Sequence, residues 1–170
     1  GDSLSASYGI DEEQGWVYLM SKKTPQHAIT NGSVSGETTA GGLRRLPELL
    51  DSVQPELVLI ELGGNDGLRG FSPQQLKENL TKIITLVKAQ GSKILLSDIM
   101  LPPNYGPRYT KMFNQVYQDL ATEHQITLMP FFMTKIATEP KLMQRDGIHP
   151  NQLAQQDIVN FILPWINDIL

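Results

Sequence analysis

The sequence predicts a single α/β domain, a three-layer sandwich in which a mostly parallel central sheet carries helices on both faces. Apolar runs of strand length alternate with segments of helical periodicity, and the connections between them are short. Residues 55–62 (Pro-Glu-Leu-Val-Leu-Ile-Glu-Leu) are almost continuously apolar, which is typical of a strand buried in a parallel sheet. With 170 residues, 40% of them hydrophobic, the chain suits one domain covering residues 1–170.

The first part of the chain alternates between helix and loop patterns. Residues 15–20 (Gly-Trp-Val-Tyr-Leu-Met) predict a short helix, and residues 27–30 a short strand. Residues 31–36 (Asn-Gly-Ser-Val-Ser-Gly) have the composition of a loop. From Thr38 the periodicity predicts another helix, with Pro47 as a local irregularity. Its apolar face consists of Leu43, Leu46, Leu49 and Leu50.

The middle of the chain carries the clearest helix signals. The strand at 55–62 ends abruptly at residues 63–67 (Gly-Gly-Asn-Asp-Gly), which we interpret as a loop. Ser72 then supplies an N-cap and Pro73 a first-turn proline, while Gly91 provides a C-terminal stop. These signals enclose a helix whose apolar face consists of Leu76, Leu80, Ile83, Ile84 and Val87.

Two more strands are predicted in the second half, at residues 94–99 and 126–129. Between them, residues 101–107 (Leu-Pro-Pro-Asn-Tyr-Gly-Pro) predict a stiff loop suited to a pocket wall, and residues 108–124 a helix. Residues 131–145 are apolar but irregular, so no element is assigned to them.

The last helix is predicted to open at residues 146–150 (Asp-Gly-Ile-His-Pro) and to kink at Pro164. Its apolar face consists of Leu153, Ile158, Phe161, Ile162 and Trp165. Because crossovers between parallel strands are right-handed, this order of elements allows only a few doubly wound topologies.

Composition excludes several classes of function. The net charge is -4 and the basic residues are scattered, so we expect no nucleic-acid partner. The chain has no cysteine, and its three histidines (His27, His124 and His149) lack the spacing of metal ligands. We therefore expect no metal or other cofactor. No apolar run is long enough to span a bilayer, so we expect no stable membrane insertion.

Three loops carry polar residues embedded among glycines, at residues 33–36, 63–66 and 146–149. In open α/β sheets, ligands bind outside the carboxyl ends of the strands, where such loops lie. A serine nucleophile needs a base, a carboxylate that orients the base, and N–H donors for the oxyanion. Ser3 is a candidate nucleophile, and the three-residue spacing of Asp146 and His149 allows the carboxylate to orient the imidazole.

Each of these features also has a structural interpretation. Asp-Gly is a common turn pair, and His-Pro is common where a helix begins. Residues 63–66 are equally consistent with the end of a strand or an anion-binding nest. Asp2 and Asp66 are rival carboxylates, although acidic residues near glycine turns usually cap backbone groups. The chain has neither a G-x-S-x-G elbow nor a G-x-G-x-x-G or P-loop motif, which disfavours an ordinary α/β-hydrolase and a nucleotide-binding protein.

Four short blocks, taken together, resemble the conserved blocks of the GDSL or SGNH hydrolase superfamily. They occur in the family's order and span residues 1–150 as Gly1-Asp2-Ser3-Leu4, Gly36, Gly64-Asn65-Asp66 and Asp146-Gly147-Ile148-His149-Pro150. Residues 61–71 and 101–106 also resemble the periplasmic branch of bacterial thioesterase I and lysophospholipase enzymes. The resemblance implies a flavodoxin-like SGNH hydrolase fold.

The resemblance also implies roles for individual residues. Ser3 would be the nucleophile, His149 the general base and then acid, and Asp146 the residue that orients His149. The oxyanion hole would combine the backbone N–H groups of Ser3 and Gly36 with the side-chain amide of Asn65. We expect loss of the Asn65 amide to impair turnover more than binding.

The implied reaction is hydrolysis of fatty acyl thioesters and carboxylic esters, including acyl-CoA, lysophospholipids and aryl esters, through an acyl-Ser3 intermediate. The acyl chain is expected between residues 67–71 and 99–105. The side chains predicted to contact it are Leu68, Phe71, Ile99, Leu101, Pro102 and Tyr105. The alternatives are a carbohydrate O-acetyl esterase or arylesterase of the same superfamily, or a non-catalytic module that binds an anion or a sugar.

In this superfamily the first block follows a buried strand, whereas here the sequence begins at Gly1. We therefore expect that a short apolar strand, and before it an export signal, precede Gly1 in the precursor. By the same resemblance, we expect a monomer located in the periplasm of a bacterium or secreted from it.

Overall fold

The protein has an α/β fold in a computed structural model that describes all of residues 1–170. The elements are α1 (Trp16–Lys23), α2 (Thr39–Val53), β1 (Leu57–Ile60), α3 (Gly64–Leu68), α4 (Pro73–Ala89), β2 (Lys93–Ser97), α5 (Pro107–His124), β3 (Thr127–Met129) and α6 (Gln155–Ile169). The chain divides into two compact units: the first combines Gly1–Gly36 with Phe132–Leu170, and the second is Glu37–Phe131. None of the helices has both the length and the apolar composition that crossing a bilayer requires.

The second unit contains the sheet. Its three strands are all parallel and lie in the order β1-β2-β3, with Leu57 opposite Lys93 and Leu95 opposite Thr127. Helix α4 packs against α2, α5 and β2, and α5 also contacts β2 and β3. The predicted α/β fold with a parallel sheet is confirmed.

Helix α4 forms where its sequence signals predict it. The Ser72 hydroxyl accepts a hydrogen bond from the Gln75 N–H at 3.1 Å, which satisfies one donor of the first turn. The helix buries one face in the core of the second unit, through Leu76, Leu80, Ile83, Ile84 and Val87. Matched end signals and apolar periodicity are therefore sufficient to define this element.

The first unit is built around α1 and α6, which pack against each other. The buried apolar residues that these helices contribute are Trp16, Val17, Met20, Ile158, Val159 and Ile162. Helix α6 begins at Gln155, later than predicted, because residues Gln152–Ala154 form a separate 3-10 turn. Leu153 lies in this turn and is 64% exposed, so its predicted place on the apolar face is wrong.

Residues 27–30 do not form the predicted strand. They pair with no other strand, and Ala28, Ile29 and Thr30 are exposed. A strand requires a neighbouring backbone to satisfy its N–H and C=O groups, and the apolar pattern of four residues does not supply one.

Residues 64–68, predicted as part of a loop, form the short helix α3. The buried Asp66 carboxylate accepts hydrogen bonds from the Thr39 N–H at 2.9 Å and the Thr39 hydroxyl at 2.5 Å. A Cβ built at Gly67 would lie 2.3 Å from a Leu101 methyl group, so this glycine allows close packing. These long-range contacts stabilise a helix that glycine-rich composition alone disfavours.

Gly63, immediately before α3, is expected to be far less tolerant of alanine than Gly70. Gly63 has a φ of 119°, and a Cβ there would lie 2.0 Å from the Tyr117 hydroxyl, which donates to the Leu62 carbonyl. Gly70 has a φ of 71° and nothing within 4 Å. Gly70→Ala therefore incurs only backbone strain of about 1–2 kcal/mol, whereas Gly63→Ala adds roughly 1–3 kcal/mol of steric overlap.

Urea unfolding of both variants and the wild type measures this difference in the free energy of unfolding. Equal losses for the two glycines would show that the Tyr117 hydroxyl does not constrain Gly63.

Candidate active site

Ser3 lies in a tight turn, the Ser3 turn (residues 1–9), that several hydrogen bonds hold in place. The buried Asp2 side chain accepts from the Leu4 N–H at 3.0 Å, and the Asp2 carbonyl accepts from the Ala6 N–H at 3.0 Å. The Trp16 indole donates to the Leu4 carbonyl at 3.2 Å. Ser3 is therefore presented by a fixed backbone, as a nucleophile requires.

Asp146 and His149 lie in a second tight segment, the His149 loop (residues 143–150). An isolated antiparallel bridge joins Met143 and Pro150, and the Gln144 N–H donates to the His149 carbonyl at 2.8 Å. Within the loop, Asp146 Oδ1 accepts from the backbone N–H groups of Ile148 at 2.9 Å and His149 at 3.0 Å. The loop thus folds its backbone around the aspartate carboxylate.

The two segments bring Ser3, His149 and Asp146 into a continuous chain of hydrogen bonds within the first unit. Ser3 Oγ lies 2.9 Å from His149 Nε2, and His149 Nδ1 lies 2.6 Å from Asp146 Oδ2. When Nδ1 carries the proton shared with Asp146, the Nε2 lone pair faces the Ser3 hydroxyl. This arrangement can take a proton from Ser3 and stabilise the imidazolium that forms.

Asp146 is electrostatically suited to this role. Its partial burial would raise the pKa of the carboxyl, but hydrogen bonds from the His149 backbone, the imidazole and the Ile148 N–H outweigh burial and lower the pKa to about 2. The carboxylate is therefore ionised at neutral pH and can hold the imidazole in the tautomer with Nδ1 protonated.

The predicted oxyanion donors belong to different units. Gly36 lies in the first unit, like Ser3, and has a φ of 78°. Asn65 lies in the second unit, in the first turn of α3, and its side-chain amide donates to the Glu37 carbonyl at 2.9 Å. That bond orients the amide, while the assignment of these donors to an oxyanion hole stays a prediction.

The two other candidate carboxylates, those of Asp2 and Asp66, accept hydrogen bonds from backbone N–H groups. The Asp2 side chain bonds the Leu4 N–H inside its own turn, and the Asp66 carboxylate bonds Thr39 at the N-terminus of α2. Neither arrangement requires an imidazole partner. Of the three aspartates considered from the sequence, Asp146 is the one hydrogen-bonded to His149.

The residues predicted to contact an acyl chain all lie in the second unit. Ile99 and Leu101 are buried in its core, where Leu101 packs against Gly67, and their contact with an acyl chain stays a prediction. The remaining four positions, Leu68, Phe71, Pro102 and Tyr105, are half-buried or exposed. The Tyr105 hydroxyl donates to the Leu68 carbonyl at 3.0 Å, which ties the two predicted acyl loops together.

Two residues in contact with the Ser3 turn or His149 were not identified from the sequence. The Tyr8 ring lies against the imidazole with ring centroids 4.3 Å apart, and the Gln144 amide donates to the Tyr8 carbonyl at 2.7 Å. In the sequence, Gln144 stands two residues before Asp146, which is only a weak signal of a role near the site. This position does not reveal a contact with a turn more than a hundred residues away.

The chain matches the model of the GDSL-like Lipase/Acylhydrolase family over residues 1–156. It is 46% identical to Esterase TesA of Pseudomonas aeruginosa, over 100% of this chain and 87% of that protein. It is 48% identical to an Arylesterase of Vibrio mimicus, over 95% of this chain and 83% of that protein. It is 47% identical to Thioesterase 1/protease 1/lysophospholipase L1 of Escherichia coli, over 98% of this chain and 78% of that protein.

Solved structures agree with this relationship. The crystal structure of TesA superimposes with a TM-score of 0.95 at 46% identity and covers 100% of this chain and 97% of its own. The psychrotrophic esterase EstA from Pseudoalteromonas sp., in a structure inhibited by monoethylphosphonate, gives 0.93 at 45% identity and covers 98% of this chain and 96% of its own.

Asp146 is expected to make stability depend on pH in acid. Because its pKa falls from an ordinary 3.8 to about 2 on folding, the carboxylate stabilises the fold above pH 3.8, and this contribution is lost as the pH falls towards 2. The difference in the free energy of unfolding between wild type and Asp146→Asn should therefore shrink over that window. Urea unfolding at a series of pH values measures it.

The same comparison in a His149→Ala background is the control. Removing the imidazole removes one of the partners that lower the pKa of Asp146, so the pH dependence of the difference should weaken. A difference that is constant from pH 6 to pH 2 in the wild-type background would contradict the account of Asp146.

Proposed function

Because the chain belongs to the GDSL/SGNH hydrolase family, we propose that it hydrolyses fatty acyl thioesters and carboxylic esters through an acyl-Ser3 intermediate. The observation that carries this proposal is the hydrogen-bonded chain from Ser3 Oγ to His149 Nε2 and from His149 Nδ1 to Asp146 Oδ2. Of the three carboxylates considered from the sequence, Asp146 is the one bonded to this imidazole.

The first half of the reaction acylates Ser3. His149 Nε2 takes the hydroxyl proton as Ser3 Oγ bonds to the acyl carbonyl carbon, and the carbonyl oxygen becomes an oxyanion. Asp146, ionised because of its low pKa, stabilises the imidazolium. The imidazolium then gives its proton to the sulfur or oxygen of the leaving group as the carbonyl re-forms and the C–S or C–O bond breaks.

The second half releases the product. His149 Nε2 takes a proton from water as the water oxygen attacks the acyl carbon, and a second oxyanion forms. When this intermediate collapses, His149 returns the proton to Ser3 Oγ, and the acyl group leaves as a carboxylic acid. One ester or thioester bond is hydrolysed, and the enzyme returns to its starting state.

The proposed oxyanion hole consists of the Ser3 and Gly36 backbone N–H groups and the Asn65 amide. Family membership supports this assignment, as does the hydrogen bond to Glu37, which restricts the orientation of the Asn65 amide before substrate binds. A preorganised donor of this kind typically accounts for about 10² to 10³ in rate.

The relatives support a substrate range centred on acyl esters. Their names include a thioesterase and lysophospholipase, an esterase and an arylesterase. For the acyl part, Leu68, Phe71, Pro102 and Tyr105 are the predicted contacts that retain exposed surface. Each buried methylene contributes about 0.8 kcal/mol, so an apolar surface produces a graded preference for chain length.

Aryl ester hydrolysis is the second candidate, favoured by the 48% identity to an Arylesterase. A carbohydrate O-acetyl esterase would instead need polar groups that recognise the sugar.

We also propose that the protein is a monomer located in the periplasm or outside the cell, on the basis of the family resemblance.

Ser3 is expected to react covalently with a fluorophosphonate probe, because its hydroxyl is hydrogen-bonded to a base. Intact-mass spectrometry should detect one adduct on the wild type and none on folded Ser3→Ala. Ser35→Ala removes an exposed serine of the first unit and should leave labelling unchanged. Folded wild type that remains unlabelled would reject the hydrolase in favour of a binding module.

A substrate panel distinguishes the candidate activities. We expect hydrolysis of palmitoyl-CoA and p-nitrophenyl acetate, and little or none of an acetylated sugar. Across an acyl series, kcat/KM should rise with chain length by up to about fourfold per buried methylene. Turnover that is indifferent to chain length would refute the apolar acyl site, and preference for the acetylated sugar would establish the carbohydrate esterase instead.

A further inference from the structure

Gln144 connects the His149 loop to the Ser3 turn through its side chain. Its Nε2 donates to the Tyr8 carbonyl at 2.7 Å and to the Pro150 carbonyl at 3.0 Å. Its backbone N–H donates to the carbonyl of His149 itself at 2.8 Å. A single residue is thus bonded to both segments that supply the reacting groups.

The Ser3 turn is shaped to receive this amide. Gly9 has a φ of 74°, and a Cβ built there would lie 2.2 Å from Gln144 Oε1. Any side chain at position 9 would therefore displace the amide from the turn. The close approach of the Gln144 side chain to the Gly9 backbone is a second observation, independent of the hydrogen bonds, that links the two segments.

Tyr8 links this contact to the imidazole. Its carbonyl accepts from Gln144, and its N–H donates to the Ser3 carbonyl at 3.4 Å. Its ring lies on the His149 ring at 4.3 Å with an interplanar angle of 36°, although 49% of Tyr8 is exposed. Hydrogen bonds at both backbone groups thus hold the Tyr8 backbone in the position from which its ring contacts His149.

We propose that Gln144 is a positioning residue whose side-chain amide holds Tyr8 against the His149 imidazole, so that Nε2 remains directed at Ser3 Oγ. This inference rests on the proposed function, in which Nε2 must exchange protons with Ser3 Oγ. Asp146 fixes the imidazole at Nδ1, and the Tyr8 ring restricts its remaining rotation from one face. Such alignment acts on the chemical step, because a displacement of about 1 Å can cost 10²-fold in rate.

The principal test replaces Gln144 with methionine, which has a similar length but cannot donate to the two carbonyls. We expect kcat to fall by about 10- to 100-fold with KM changed by less than about threefold. Tyr8→Leu, which removes the ring, should cause a similar loss. Tyr8→Phe, which retains the ring, should keep most of the wild-type rate. Because both residues act through one contact, the double variant Tyr8→Leu/Gln144→Met should lose far less than the product of the single losses.

Gln155→Met is the matched control. Gln155 also joins distant segments of the first unit by two hydrogen bonds, from the Trp16 N–H to its Oε1 and from its Nε2 to the Asn151 carbonyl. Its loss should lower thermal stability while leaving kcat within about twofold of the wild type. If Gln155→Met lowers kcat as much as Gln144→Met does, the effect of Gln144 is merely structural and the inference is overturned.

Crystal structures of wild type and Gln144→Met provide a measurement that does not depend on turnover. We expect the distance from His149 Nε2 to Ser3 Oγ to exceed hydrogen-bonding range in the variant. If the wild type proves inactive while this displacement occurs, the proposed function fails and the positioning role stands. If the wild type is active and Gln144→Met keeps both its kcat and the imidazole position, the positioning role is refuted.

Discussion

The hydrogen bond between Asp146 and His149 is the interaction on which the proposed chemistry depends. The carboxylate accepts the imidazole Nδ1–H at 2.6 Å and also two backbone N–H groups of the same loop. These bonds keep its pKa at about 2 despite partial burial, so it is ionised whenever the imidazole must accept a proton. The same carboxylate therefore folds the His149 loop and orients the base.

Asp66 shows that the surroundings, not the residue type, assign such a role. It follows a strand and lies in a glycine-rich block, which made it a rival candidate for the catalytic carboxylate, yet both of its oxygens bond Thr39. This contact joins α3 to the N-terminus of α2 inside the second unit. Asp66 thereby stabilises the short helix that carries Asn65.

Local signals in the sequence predicted much of the structure. Helix α4 was predictable because Ser72, Pro73 and its apolar periodicity agree, and Asp146 and His149 were predictable as a pair because their spacing fits one turn. The incorrect secondary-structure predictions arise where contacts between residues distant in the sequence determine the structure. Asp66 and Gly67 make α3 helical through long-range contacts, and residues 27–30 find no strand partner. The contacts of Gln144 and Tyr8 also cross the sequence, so composition and periodicity contain no signal for them.

The covalent intermediate is the central claim, and rapid-quench mass spectrometry tests it most directly. After the enzyme is mixed with excess acyl-CoA and quenched in acid within the first turnover, the intact mass should increase by one acyl group. Peptide mapping should place that group on Ser3, and His149→Ala should accumulate none on the same timescale. An acyl adduct on a residue other than Ser3, or undiminished turnover by Ser3→Ala, would contradict acyl transfer through Ser3.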